Sequence, residues 1–135
     1  MILESAVLCL ALNIYHEARS EPAQGQFAVA HVTMNRAQGD QRKVCETVVA
    51  RKQFSWTNKL LAKKSESRYQ LKKAGVPKDA RAWALAKHIA RTTIEYKPTD
   101  FTQGATHYHT TKIKPRWASS MQYVRRVGRH VFYIA

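Results

Sequence analysis

Acidic residues are scarce in this sequence. Nine Asp and Glu stand against 23 Lys and Arg among 135 residues, a net charge of +14 with His neutral. A field that positive favours anionic partners such as nucleic acid, anionic lipid or an acidic polymer, without choosing among them. Glycine and proline are few, 5 and 4, which excludes low-complexity architecture. No run of about 18 apolar residues exists, so a membrane-spanning helix is excluded. There are two cysteines, Cys9 and Cys45, and no CxxC pair, which excludes a zinc ribbon or knuckle. With no sign of an oxidising compartment, two buried free thiols are expected rather than a disulfide.

What is present has the balance of a soluble globular protein, 44% hydrophobic and 24% charged. The length suits one domain over 1–135 and can bury a core without staples. No repeat, linker or second domain is evident. Ala6 to Tyr15 is apolar like a signal-peptide core. Glu4 rather than a basic segment precedes it, however, and no small-residue cleavage site follows. It is therefore read as part of the fold, in a chain made without a secretory signal.

Leu3, Val7, Leu10 and Ile14 repeat at helical spacing. Leu8, Cys9, Leu12 and Tyr15 cover much of the remaining circumference, which marks a buried central helix over about 2–17. Ser20-Glu21-Pro22 stops it and starts a second helix over about 22–37, with Phe27, Ala30, Val32 and Met34 facing inward. A short third helix is expected over 45–51, then a loop over Lys52–Asn58 carrying Phe54, Ser55 and Trp56. Lys59–Lys73 is very basic and reads as partly helical. Pro77 opens a long exposed helix to about 95. Thr106–Thr111 and His130–Ile134 alternate as strands do and suit a hairpin. The expected fold class is α+β, mainly α, with a buried central helix and a small C-terminal β-hairpin or sheet. Trp83 and Trp117 are expected in the core.

The nine acids are few enough to weigh singly. Asp40 and Asp79 lie near helix starts, Glu4 in the first turn of the first helix, and Glu66 in a solvated basic stretch. Glu17 differs, because it continues the stripe Leu3-Val7-Leu10-Ile14. Its carboxylate then follows the buried face at a helix C-terminus, and burial and dipole both raise its pKa. Glu21 adds like-charge pressure and Arg19 opposes it. A carboxyl kept protonated near neutral pH suits a general acid. The alternative is a side chain turned outward at a frayed end and paired with Arg19; periodicity alone leaves both open.

The segment Ile14-Tyr15-His16-Glu17-Ala18-Arg19-Ser20-Glu21 resembles the E-A-R-G-E signature of the cell-wall hydrolase family that includes spore cortex-lytic enzymes. Gln24-Gly25-Gln26, Ala28-Val29-Ala30 and Val32 to Arg36 resemble that family's next helix, and Gln53-Phe54-Ser55-Trp56 its Q-F-S-W loop. Gly104-Ala105-Thr106-His107-Tyr108 resembles its G-A-T-H-F/Y strand. Pro115 to Ala118 and Val127 to Tyr133 resemble its closing segments. The blocks keep the family's order and span 11–133. Ser20 stands where the signature has Gly, a change that removes no chemical group.

The resemblance implies a lysozyme-like fold, cleavage of the peptidoglycan glycan strand, and Glu17 as the catalytic acid. Glycosidases ordinarily use two carboxylates about 5 to 9.5 Å apart. Glu21 and Asp100 are the candidates for a second, Glu21 reading rather as structural. A lytic transglycosylase needs one, which acts as acid and then base. Tyr15, His16, Phe54, Ser55, Trp56, Thr106, His107 and Tyr108 are the candidate substrate-binding residues, with a core role the alternative for Trp56 and Tyr108. No cofactor or metal is expected. Two other readings stand beside this one. One is a zinc amidase using His107 and His109 with His16, Glu17 or His130. The other is a basic nucleic-acid-binding module, for which no recognition signature is present. The expected partners are bacterial peptidoglycan and the anionic envelope surface, with no specific nucleic acid, for a monomeric chain. No separate wall-binding domain is expected. A phage-type endolysin, held in the host cytoplasm until it reaches the periplasm or wall at lysis, fits these features.

Overall fold

The computed structural model describes residues 1–3, 5–50, 55–65 and 68–135. The expectations for Glu4, Gln53, Phe54 and Glu66 lie outside the described residues.

Helix α1, Ala6–Ala18, is the central element. Ser5 accepts from the Leu8 amide at 3.1 Å and caps its start, a bond typically worth about 1 kcal/mol. The helix therefore begins later than its apolar pattern suggests, and Ile2–Leu3 forms strand β1 instead. Cys9 to Tyr15 is buried without interruption, because α1 packs against helices α2, Ala23–Arg36, α3, Val44–Val49, and α5, Ala80–Tyr96. Helix α5 is not the exposed element expected: Ala86, Ile89, Ala90, Thr93 and Ile94 are buried along one face. Asp79 caps it by accepting from the Ala82 amide.

The basic stretch is corrected more substantially. Helix α4, Ser55–Leu60, occupies the end of the expected Lys52–Asn58 loop and reaches into the basic stretch only at Lys59 and Leu60. Leu61–Ser65 and Arg68–Leu71 are strands β2 and β3, and with β1 they form a sheet of order β1-β3-β2. Tyr69 and Leu71 are buried while Arg68 is exposed and Gln70 lies between. That alternation of period two is what a half-buried strand requires.

The cysteines are corrected too. Cys9 of α1 and Cys45 of α3 form a disulfide, their Cα atoms 5.2 Å apart. The packing of α3 on α1 brings them together, which neither compartment arguments nor sequence spacing reveal.

The last third forms an antiparallel sheet of order β4-β6-β5, from His107–Thr110, Gln122–Val127 (β5) and His130–Ile134 (β6). The expected hairpin pairing is present, with His107 opposite Tyr133 and Thr110 opposite His130. Strand β5 was not expected; a register shift between Tyr123 and Arg125 breaks its alternation. Trp83 and Trp117 are half-buried rather than core. Trp117 instead packs beside His107, His109 and Tyr133.

Two apolar clusters result. The larger surrounds α1, α3 and α5. The smaller joins Ala18, Ala28, Val29 and Val32 to Ala105, Val127 and Phe132 of the sheet region, and Tyr108 packs against both.

Candidate active site

Glu17 lies in the last turn of α1, half-buried. Strand alternation turns His107 and His109 to one face of the sheet and Tyr108 to the other. The Tyr108 hydroxyl thereby donates to Oε1 of Glu17. Burial raises the Glu17 pKa, and the bond from Tyr108 lowers it by less, so the carboxyl sits above the usual glutamate range. The Tyr108 phenol is pushed well above its usual value by burial, by the Glu17 charge and by that bond, with Arg36 opposing. Arg19 does not pair with Glu17. It donates to the Tyr15 carbonyl at 3.3 Å, and its guanidinium lies over the Tyr15 ring.

Glu17 lines a cavity of about 190 Å³ with Ser20, Glu21, Thr110, Lys112, Arg129 and His130 among its walls. A larger groove of about 740 Å³ runs between the ends of α2 and α5. Its Asp40 is held by Arg42 at 3.1 Å, so the smaller cavity is the one carrying a carboxyl shifted towards its acid form.

The two other candidate carboxylates are engaged elsewhere. Glu21 lines the same cavity, but its side chain is only 5% exposed. Its Oε1 accepts from the Arg129 amide at 2.8 Å. His130 Nδ1 lies 3.1 Å from the same oxygen, and burial lowers the His130 pKa, with the Glu21 charge opposing. Glu21 thus ties the α1–α2 turn to the β5–β6 turn. Close approach there requires Gly128: a Cβ at that position would lie 2.8 Å from Glu21 Oε2, and its φ is +57°.

Asp100 accepts from the Thr102 amide and hydroxyl on one oxygen, and from Asn35 and the Gly104 amide on the other. Burial raises its pKa, yet these four donors outweigh burial and leave it below the usual range. It organises the loop before β4 and is not among the residues lining the Glu17 cavity.

The candidate substrate-binding residues divide. Tyr15 is buried, and its hydroxyl accepts from the Lys78 and Asp79 amides at the start of α5. Trp56 is 7% exposed and donates to Asn13, which in turn donates to Thr33. Both are core residues. His16 stacks on Trp56 and donates to the Gly75 carbonyl, and burial lowers its pKa. Ser55 opens α4. Thr106 accepts from Arg36 through its carbonyl at 2.6 Å, and its hydroxyl meets His107 Nδ1. His107 borders an open cleft with Arg36, Thr47 and Ala50. Tyr108 hydrogen-bonds Glu17.

His109, of the zinc reading, shares a hydrogen bond with the Tyr133 hydroxyl at 2.8 Å. Among the described residues, no group of three His, Cys, Asp or Glu is placed to hold a metal ion. Thr110 and Lys112 of the cavity were not anticipated. Thr110 stands two residues from Tyr108, so strand periodicity places it on the same face.

A mainly helical fold thus carries, at the end of its buried helix, a carboxyl raised towards its acid form and hydrogen-bonded to a phenol. The profile of the family described as Cell Wall Hydrolase matches residues 20–133, and the chain belongs to that family of peptidoglycan-degrading enzymes. The matched span opens three residues after Glu17. No curated protein matches the chain. Among solved structures, the chain is similar to the catalytic domain of the germination-specific lytic transglycosylase SleB from Bacillus anthracis. Their TM-score is 0.69 at 21% identity, over 95% of this chain and 93% of that one. It is also similar to the catalytic domain of the Bacillus cereus SleB protein, with TM-score 0.68 at 22% identity, over 95% and 88%. The fold is therefore the lysozyme-like one expected.

Proposed function

We propose that the chain is a lytic transglycosylase that cuts the glycan strand between N-acetylmuramic acid and N-acetylglucosamine, with Glu17 as acid and then base. The observation that carries this reading is Glu17 itself: a half-buried carboxyl above the usual pKa, lining a cavity and bonded to Tyr108. Tyr108 occupies Oε1, which leaves Oε2 to carry the proton. Oε2 protonates the glycosidic oxygen, the C–O bond breaks, and oxocarbenium character develops on the muramic sugar. The Glu17 carboxylate, stabilised by the Tyr108 hydroxyl, then takes the proton from that sugar's 6-hydroxyl. The 6-oxygen closes on C1 to give a 1,6-anhydro ring. The proton count balances without water, because the acid is regenerated in the second step.

A muramidase is the second reading, favoured by one observation: Glu21 lines the same cavity. Its engagement by the Arg129 amide and His130 weighs against a free base or nucleophile there. The test is digestion of purified peptidoglycan by wild type and Glu17→Gln, with mass spectrometry of the products. Anhydro-muramic ends, lighter by one water and missing from the variant digest, support the transglycosylase. Reducing muramic ends indicate the muramidase. Free stem peptides with intact glycan would indicate an amidase.

The proposed setting is a phage-type lysis enzyme that acts on the wall once the inner membrane is breached. Expression in bacteria tests this: lysis that waits for chloroform permeabilisation supports it, and lysis without permeabilisation opposes it.

A further inference from the structure

The rim of the Glu17 cavity carries two cations with different surroundings. Arg129, in the β5–β6 turn, donates from Nη2 to the Ser20 hydroxyl at 3.1 Å, and its Nε lies 3.8 Å from Glu21 Oε2. Ser20, the residue standing in place of the signature glycine, therefore orients a guanidinium at the cavity edge. Lys112, just beyond β4, lines the same cavity. It has no hydrogen bond or ion pair among the described residues. The surrounding segment amplifies this field, because residues 101–135 hold six Lys and Arg and no Asp or Glu. Of the two carboxyls in the cavity, Glu21 already lies 3.8 Å from the Arg129 guanidinium, and on the reading above Glu17 enters the reaction as the acid.

An unpaired lysine on a surface is ordinarily just solvated. Here its place matters, because it shares a cavity with the acid. On the glycan-cleaving reading above, a muramic residue abuts Glu17. The sugars of the strand are otherwise neutral. Their acidic groups all hang from the lactyl arm of muramic acid, either as stem-peptide carboxylates or, where the peptide has been removed, as the lactyl carboxylate itself. We propose that Lys112, with Arg129 beside it, binds a carboxylate on the lactyl arm of the muramic residue at the scissile bond. This makes Lys112 a specificity-determining residue: it selects muramic acid over N-acetylglucosamine next to the acid. Thr110 and Thr111 line the same walls, and their polar side chains suit the remainder of the arm.

The test measures kcat/KM on three forms of one purified peptidoglycan: untreated, stripped of stem peptides by an amidase, and with its carboxylates capped as amides. Wild type is expected to lose about tenfold or more on the capped form, the scale of one charge-assisted hydrogen bond. Lys112→Gln should show the same loss on the untreated form and almost no further loss on capping. Lys112→Arg should restore the selectivity. Lys64→Gln, which removes one charge from exposed β2, should keep the wild-type selectivity and so separates a local contact from the general field. Fast cleavage of the stripped form identifies the lactyl carboxylate as the ligand, and slow cleavage identifies the stem peptide. Glycan cleavage by Lys112→Gln with wild-type selectivity between untreated and capped forms overturns the proposal while leaving the transglycosylase reading intact. Wild type that leaves every glycan strand uncut overturns both.

Discussion

The hydroxyl of Tyr108 donates to Oε1 of Glu17 across 91 residues of sequence. Tyr108 is wedged between both apolar clusters, so the donor is held by packing and not by a mobile loop. The pair works in opposite directions on the acid. Burial favours the protonated carboxyl needed for the first step, and the phenol favours the carboxylate needed for the second.

Tyr108→Phe should therefore slow cleavage and shift its pH dependence. Loss of the donor weakens the carboxylate, so the Glu17 pKa rises further. The active acid form then persists to higher pH, and the alkaline limb of the kcat/KM profile moves upward. The rate should fall by about tenfold or more, within the usual range for general acid–base groups. An alkaline limb that stays in place would show that the bond does not tune the acid.

Glu17→Gln should abolish cleavage and change stability in a pH-dependent way. The folded pKa of Glu17 lies above its unfolded value. Its contribution is therefore fully present below the ordinary glutamate pKa and is lost as pH rises through the folded value. Glutamine keeps a carbonyl to accept from Tyr108 and never ionises. The Tm of the variant relative to wild type should thus be higher at about pH 8 than at about pH 4. Thermal melts at the two pH values check this, and a difference that shrinks with pH contradicts the assignment of burial as the main cause.

The Glu21 site should behave as a structural tie. Glu21→Gln should cost about 1–3 kcal/mol, because a buried charged acceptor loses its electrostatic partners. Gly128→Ala should cost a similar amount, about 1–3 kcal/mol, since it combines positive φ with a Cβ against the Glu21 carboxylate. Both should melt earlier in denaturant titrations. Folded Glu21→Gln should still form anhydro products; failure of the folded variant to cut glycan would restore Glu21 as a second catalytic carboxylate.

The Cys9–Cys45 bridge closes a separation of 36 residues and should contribute about 2–4 kcal/mol. Melts with and without reductant, beside Cys9→Ala/Cys45→Ala, measure it. Reductant should lower the Tm of wild type and leave that of the double variant unchanged.

The net charge of +14 should draw the chain to anionic walls. Lytic activity on whole cell walls is then expected to fall as salt is raised, because exposed charges are screened beyond about 8 Å at physiological ionic strength. Activity that is flat from low to high salt would assign the charge no such role.

Periodicity placed α1 at the centre and put Glu17 on its buried stripe, because a helical side chain's direction follows from its own spacing. The same logic found β4 and β6. It failed at β5, where the irregularity after Tyr123 erases the alternation, and at β3 of the basic stretch, where Tyr69 and Leu71 are the two apolar positions amid charge.

The sequence alone determined the strongly basic field, the buried first helix, the strand face of Tyr108 and the ordered blocks that mark the family. Tertiary structure decided which partner each side chain meets. It tied Cys9 to Cys45 and Trp56 to Asn13. It also placed Tyr15 at the start of α5, Asp100 among four donors, Glu21 against the β5–β6 turn and Tyr108 on Glu17. The reason is physical. Local spacing fixes where a side chain points, but burial, partners and hence pKa depend on groups brought from 36 to 108 residues away, and only the packed chain brings them there.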